Sequence, residues 1–191
     1  MNNKKFGFIA GPSGIGKGYG VGRVIKGAHD VKIFVTGDWC RENAEKHANS
    51  GVLVNDDLIF DAIVEDFKNS EDTHYFIDAP RTAIQAEKFI SMFLEKNPEA
   101  EIHTIHIHGD KKTCEDRLKD RASREGRNDD AEDAVIEKRL GNYYKEGGIF
   151  DTVIPVLKDR TVYHLINGDI DLEIVRNHVG QEIAPKIFMS N

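Results

Sequence analysis

Residues 11–17 read Gly11-Pro12-Ser13-Gly14-Ile15-Gly16-Lys17, a match to the pattern GxxxxGK. Glycines let a backbone wrap tightly enough for successive N–H groups to point at the oxygens of a phosphate. A helix starting directly after such a loop adds the positive end of its dipole. In that arrangement Lys17 reaches the β- and γ-phosphates of a nucleoside triphosphate. Gly11, Ser13, Gly14, Ile15, Gly16, Gly18 and Tyr19 are the other donor-binding candidates, chiefly through main chain. The Ser or Thr usual after the lysine is absent, because Gly18 stands there. The same glycines could form a tight turn with no ligand, but the strand pattern before them and the helix pattern after them favour phosphate.

Other residues carry weaker signals. Asp78 ends an apolar run, and strand-end carboxylates in α/β folds often face the ligand. Arg117, Arg121 and Arg124 recur at i, i+4 and i+7 on one helical face. Glu115, Asp116, Asp120 and Glu125 are interleaved with them, so, taken alone, a solvated charged face is the simpler account. Taken alone, Arg139 and Gln85 read as solvent residues. His106 and His108 share one face of a strand, with Ile105 and Ile107 on the other. That spacing can bind a metal, yet no third ligand stands in a motif, and hydrogen-bonded histidines near a strand end are the plainer reading. Trp39 reads as packing, and Cys40 and Cys114 as inert thiols.

Strand patterns over 5–10, 31–36, 74–78, 102–108 and 161–166 position these residues. Helical patterns fall over 18–27, 37–48, 56–69, 82–96, 111–123, 131–145 and 172–182. The run 150–158 is ambiguous: its apolar residues suit a strand, while Pro155 argues against a central one. Strands alternating with helices predict an α/β fold, a five-stranded parallel sheet with helices on both faces. Ligands then bind at the carboxyl ends of the strands.

The chain has 191 residues, one domain's length, and no Pro/Gly/Ser linker divides it. Its 26 basic and 33 acidic residues sum to −7, which argues against a general nucleic-acid or anionic-membrane binder. Two cysteines without a CxxC exclude a disulfide framework and a cysteine-rich zinc site. No apolar run approaches the roughly 20 residues of a membrane span. The apolar stretch at 6–10 is too short for a signal-peptide core. The expectation is a cytoplasmic protein.

Three further segments follow the glycine-rich loop in fixed order. They are Thr36-Gly37-Asp38-Trp39-Cys40-Arg41, then Asp78-Ala79-Pro80-Arg81-Thr82-Ala83-Ile84-Gln85, then Arg117 through Arg121, Arg127 and Asp130 to Lys138-Arg139-Leu140. Together with Gly16-Lys17-Gly18 they resemble the nucleoside monophosphate kinase family, adenylate kinase in particular, over nearly the whole chain. The resemblance implies a P-loop kinase fold with a helical acceptor-binding flap at about 37–69 and a short lid at about 122–131. It implies that Arg41 and Arg81 clamp the acceptor phosphate, a task that suits an arginine fork. Thr36 and the main chain near Val54 resemble the wall of the acceptor base site, and Gln85 the glutamine that reads adenine. Asp78 resembles the acid that holds magnesium through water, and Arg117 the arginine that stacks on the donor base. Arg121, Arg127 and Arg139 resemble those that converge on the transferred phosphoryl group, with Arg127 and Arg139 also touching AMP. Phosphoryl transfer needs positioning, charge neutralisation and exclusion of water more than covalent help.

The chain departs from the family pattern in places. Tyr19 replaces threonine, and Pro12-Ser13 replaces the usual glycine then proline. The segment from Asp78 to Arg81 is one residue short. No cysteine quartet marks the lid, so no structural zinc is expected. The resemblance implies a monomeric ATP:AMP phosphotransferase that uses Mg²⁺ with ATP and has no nucleic-acid or membrane partner. A kinase for another monophosphate or small-molecule acceptor, and a nucleotide-binding regulatory protein with an eroded site, are the alternatives.

Overall fold

The computed structural model describes residues 4–43, 56–70, 74–78, 80–125 and 132–189. Five strands, β1 (Phe6–Ala10), β2 (Val31–Phe34), β3 (His74–Asp78), β4 (Ile102–His108) and β5 (Val162–Asn167), form one sheet in the order β2-β3-β1-β4-β5. All four pairings are parallel, with Ile9 opposite Asp78 on one side of β1 and opposite Ile105 on the other. After β1 the chain runs to one edge of the sheet, returns through β3, and crosses to β4. The end of β1 is thus flanked by strands reached in opposite directions, where such sheets bind ligands.

The helices are α1 (Arg23–Ala28), α2 (Thr36–Glu42), α3 (Asp56–Lys68), α4 (Ala83–Lys96), α5 (Lys111–Glu125), α6 (Asp133–Tyr144), α7 (Ile149–Arg160), α8 (Leu172–His178) and α9 (Ala184–Phe188). Two π-helical stretches, Lys17–Gly22 and Val179–Ile183, lead into α1 and α9. Strand alternation sends side chains to two cores. Ile9, Phe76, Ile105 and Ile107 pack with Cys114, Leu118, Ile136, Leu140 and Val175. Phe6, Phe8, Tyr75 and Ile77 pack with Phe67, Phe89, Phe93, Val153 and Leu157. Burial on both faces explains why β1 and the middle of β3 read as continuous apolar runs.

The ambiguous run at 150–158 is helical. Val153, Ile154 and Leu157 form its buried stripe, and Pro155 lies on the exposed side. There, water can satisfy the carbonyl that a proline leaves without its helical partner. Among the described residues no helix is long and apolar enough to cross a membrane.

Candidate active site

Beyond Ala10 the chain turns sharply. Gly11, Gly14 and Gly16 have φ values of 141°, 83° and 105°, a region L-side chains resist. A Cβ at Gly14 would also stand 2.4 Å from the Cys114 carbonyl oxygen. Ile15 is fully buried. It anchors the loop in the core, so whatever it offers a ligand is main chain. Ser13 is half-buried and Gly18 exposed.

Lys17 opens the π-helical turn, a geometry found often at functional sites. Its ammonium folds back onto the Gly11 and Pro12 carbonyls at 2.9 and 3.1 Å. It also lies 3.7 Å from Asp78 Oδ1. Burial raises the Asp78 pKa; Lys17 opposes that rise, Asp38 adds to it and Arg81 opposes it. Lys17, Asp38 and Arg81 therefore surround one partly desolvated carboxylate. Magnesium carried by nucleotide phosphates takes one or two protein carboxylates and keeps its waters. Asp78 beside Asp38 fits that demand, because a cation offsets both the desolvation and the repulsion. Among the described residues no group of three or more His, Cys, Asp or Glu forms a metal cage.

The other wall comes from α2 and the start of α4. Thr36 donates its hydroxyl hydrogen bond to the Asp78 carbonyl at 3.1 Å. Arg41 pairs with Asp38 one turn back. Arg81 Nη2 lies 3.9 Å from Cys40 Sγ, beside the helix that carries Arg41. The shortened segment thus still brings Asp78 to Lys17 and Arg81 to α2. Gln85 is buried, and its Oε1 accepts the Arg81 N–H at 2.9 Å. Its own N–H donates to Thr82 Oγ1 at 3.1 Å, at the N-cap of α4. This is a near relative of the capping box. Sequence reading missed it, although Thr82 and Gln85 stand at the required spacing.

Arg117 donates to three carbonyls, those of Ile15 at 3.0 Å, Gly168 at 2.8 Å and Ile170 at 2.7 Å. Its guanidinium thereby ties the phosphate loop to the turn between β5 and α8. Arg121, one turn on, is half-buried, as is Arg139 on α6. Arg124 pairs with Asp120 on the exposed face. The Tyr19 hydroxyl is bonded to Glu173 on α8, and Arg23 and Arg176 lie 5.2 and 5.7 Å from its ring centre. Val54 and Arg127 lie outside the described residues, as do parts of the expected flap and lid. The plainer reading of the strand histidines, that they are hydrogen-bonded, holds for His106, but its partners were not foreseen. His106 is hydrogen-bonded to the hydroxyls of Tyr143 and Tyr163. Tyrosines near 143 and 163 could have been paired with a strand histidine only once the register of β4 and β5 was known.

No model of a known protein family matches the chain. By fold it is similar to a gluconokinase from Sinorhizobium meliloti 1021, with a TM-score of 0.60 at 15% identity, covering 97% of each chain. It is also similar to a sugar kinase from Janibacter sp. HTCC2649, with a TM-score of 0.58 at 11% identity, covering 96% of this chain and 98% of that one. In sequence it is 27% identical over 180 residues to an adenylate kinase of Synechococcus sp., covering 88% of this chain and 91% of the relative. An adenylate kinase of Kocuria rhizophila is 31% identical over 173 residues, covering 84% and 88%. An adenylate kinase of Maricaulis maris is 32% identical over 148 residues, covering 71% and 77%. With a parallel sheet, a glycine-bounded phosphate loop and these relatives, the chain belongs to the adenylate kinase family.

Proposed function

We propose that this chain transfers the γ-phosphoryl group of Mg-ATP to AMP, giving two ADP. The observation that supports the reading best is the grouping at Asp78, where Lys17 of the glycine-rich loop lies 3.7 Å from the carboxylate and Arg81 borders α2. Donor-phosphate and acceptor-phosphate candidates thus sit on two sides of one acidic group.

In this reading Lys17 leaves its loop carbonyls for the β- and γ-phosphates, which replace them as partners. The loop glycines supply N–H donors. Asp78 would hold magnesium through water, and the ion would neutralise charge on the bridging phosphates. Arg41 exchanges Asp38 for the acceptor phosphate, which Arg81 holds from the other side. Arg121, Arg127 and Arg139 neutralise the charge that spreads over the transferred group. Thr36, Val54 and Gln85 face the acceptor base, and Arg117 lies against the donor base. Segments 37–69 and 122–131 close as flap and lid, excluding water that would otherwise accept the phosphoryl group.

The test is product formation from Mg-ATP with AMP, GMP, CMP, UMP or no acceptor, with Lys17→Ala as the blank. ADP formed with AMP alone and lost in the variant supports the reading. Turnover of another monophosphate retains the mechanism and overturns the base assignment. ATP binding without transfer to any acceptor favours a regulatory nucleotide-binding role. A second reading, an uncharged or sugar-like acceptor, draws support from the fold likeness to sugar kinases, and a polyol panel tests it.

A further inference from the structure

His106 on β4 is 1% exposed, and both ring nitrogens have partners on other elements. Its Nε2 lies 2.7 Å from the hydroxyl of Tyr143, near the end of α6. Its Nδ1 is bonded to the hydroxyl of Tyr163 on β5. Burial first, then His108 and Lys17, push its pKa down to about 4. Near neutral pH the ring is therefore uncharged, with one N–H donor and one acceptor nitrogen. One tyrosine must donate to it and the other must accept, so the two contacts hold one another in a fixed order.

What Tyr143 carries gives this contact a consequence. Arg139 precedes it by four residues, so the two side chains leave the same face of α6. The next residue, Tyr144, donates its hydroxyl to the Gly109 carbonyl and lies 3.5 Å from Cys114 Sγ. Gly109 and Cys114 border the phosphate loop: a Cβ on Gly109 would come within 2.5 Å of Ile15 Cδ1, and one on Gly14 within 2.4 Å of the Cys114 oxygen. The end of α6 is thus docked beside the loop by two adjacent tyrosines, and Tyr143 is the one in line with Arg139.

We propose that His106 is a positioning residue for phosphoryl transfer: by holding the Tyr143 hydroxyl it sets the rotation of α6 that aims Arg139 at the transferred group. This rests on the reading of Arg139 given above. Misplacing a catalytic group by about 1 Å costs on the order of a hundredfold in rate.

The test compares kcat, both KM values and urea unfolding for His106→Phe, His106→Gln, Tyr143→Phe, Arg139→Ala and the double variant His106→Phe/Arg139→Ala. The expected result is a fall in kcat of about ten- to a hundredfold for His106→Phe and Tyr143→Phe, with the KM for ATP within about twofold. His106→Gln, which keeps a donor and an acceptor, regains most of the rate. The double variant is no slower than Arg139→Ala, because nothing remains to be aimed. Wild-type kcat in Tyr143→Phe beside an impaired Arg139→Ala overturns the proposal and spares the parent reading, as do losses that multiply in the double variant. A normal rate for Arg139→Ala removes the parent reading and the proposal together. If His106→Phe does not fold, Tyr143→Phe, which removes one oxygen, carries the same comparison.

Discussion

The side-chain oxygen of Gln85 accepts the backbone N–H of Arg81 at 2.9 Å. A residue proposed to read the acceptor's base is thereby joined to one proposed to hold its phosphate. The bond also fixes the entry into α4, whose N-cap Thr82 accepts from the Gln85 N–H. An amide oxygen has two acceptor sites, so the cap uses half of its capacity.

Gln85→Glu and Gln85→Ala separate the two duties. Glutamate keeps an oxygen for the Arg81 N–H but removes the amide donor and sets a negative charge against the adenine edge. The expected outcome is a melting temperature within a few degrees of wild type and a KM for AMP raised at least about tenfold, with the KM for ATP unchanged. Alanine loses both duties and deprives the Arg81 N–H of its partner, at a cost of about 1 kcal/mol. Equal AMP kinetics for Gln85→Glu and wild type would remove the base-reading role while leaving the cap.

Stability should fall with acid well before the carboxylates titrate. His103 and His106 are held near pKa 4, in both cases chiefly by burial, against 6.5 in the unfolded chain. The unfolded state therefore binds more protons between those values, and stability is lost as pH falls from about 6.5 towards 4. His29, His74 and His164 are also lowered and act in the same direction. Asp78, whose pKa burial raises, acts in the opposite direction. Each of the two buried histidines contributes about 2 kcal/mol of loss at pH 5. Thermal melts should be flat above about pH 7 and lower by roughly 10 °C or more at pH 5. Equal midpoints at pH 7.5 and 5 would contradict the neutral, buried state of these rings.

The central strands β3, β1 and β4 were legible because both of their faces are covered. Residues 74–78 and 102–108 stand out by their aromatic and β-branched residues, and the structure gives the same bounds. The tight turn of the glycine-rich loop was legible because Gly11, Gly14 and Gly16 are required by conformation, not composition. The helix at Ile149–Arg160 was not, since Val153, Ile154 and Leu157 fit either period until the packing partner is known. The partners of Arg117, Gln85 and His106 escaped for a related reason. Each joins a side chain to a group distant in sequence or to main chain, and residue type alone does not say which carbonyl or hydroxyl will be near.

Trp39 is the single tryptophan of the chain, and it lies on α2 between Asp38 and Cys40. It packs, partly buried, against the second core. If α2 moves when Arg41 leaves Asp38 for an acceptor phosphate, the indole changes its surroundings. Titration with AMP should shift or quench the emission with a midpoint close to the KM for AMP. In Arg41→Ala the response should weaken at least about tenfold in affinity. An emission that responds to ATP but never to AMP would place the acceptor elsewhere.

Arg117 presents the sharpest choice between anchoring and base contact. Its guanidinium already serves the carbonyls of Ile15, Gly168 and Ile170 from one planar fork. A stacked base needs only the flat face of that group, so stacking and anchoring are compatible. Arg117→Lys keeps the charge but lacks the fork, and Arg117→Ala lacks both. Charge-assisted bonds contribute about 1.5–3 kcal/mol each when buried and less near solvent. The alanine variant should therefore unfold about 2 kcal/mol more easily, with a raised KM for ATP and little change in that for AMP. Lysine should recover little of either, because one ammonium cannot reach three carbonyls in that geometry. Full stability in Arg117→Ala would show that the three bonds are replaced by water at no cost, leaving base contact as the residue's only role.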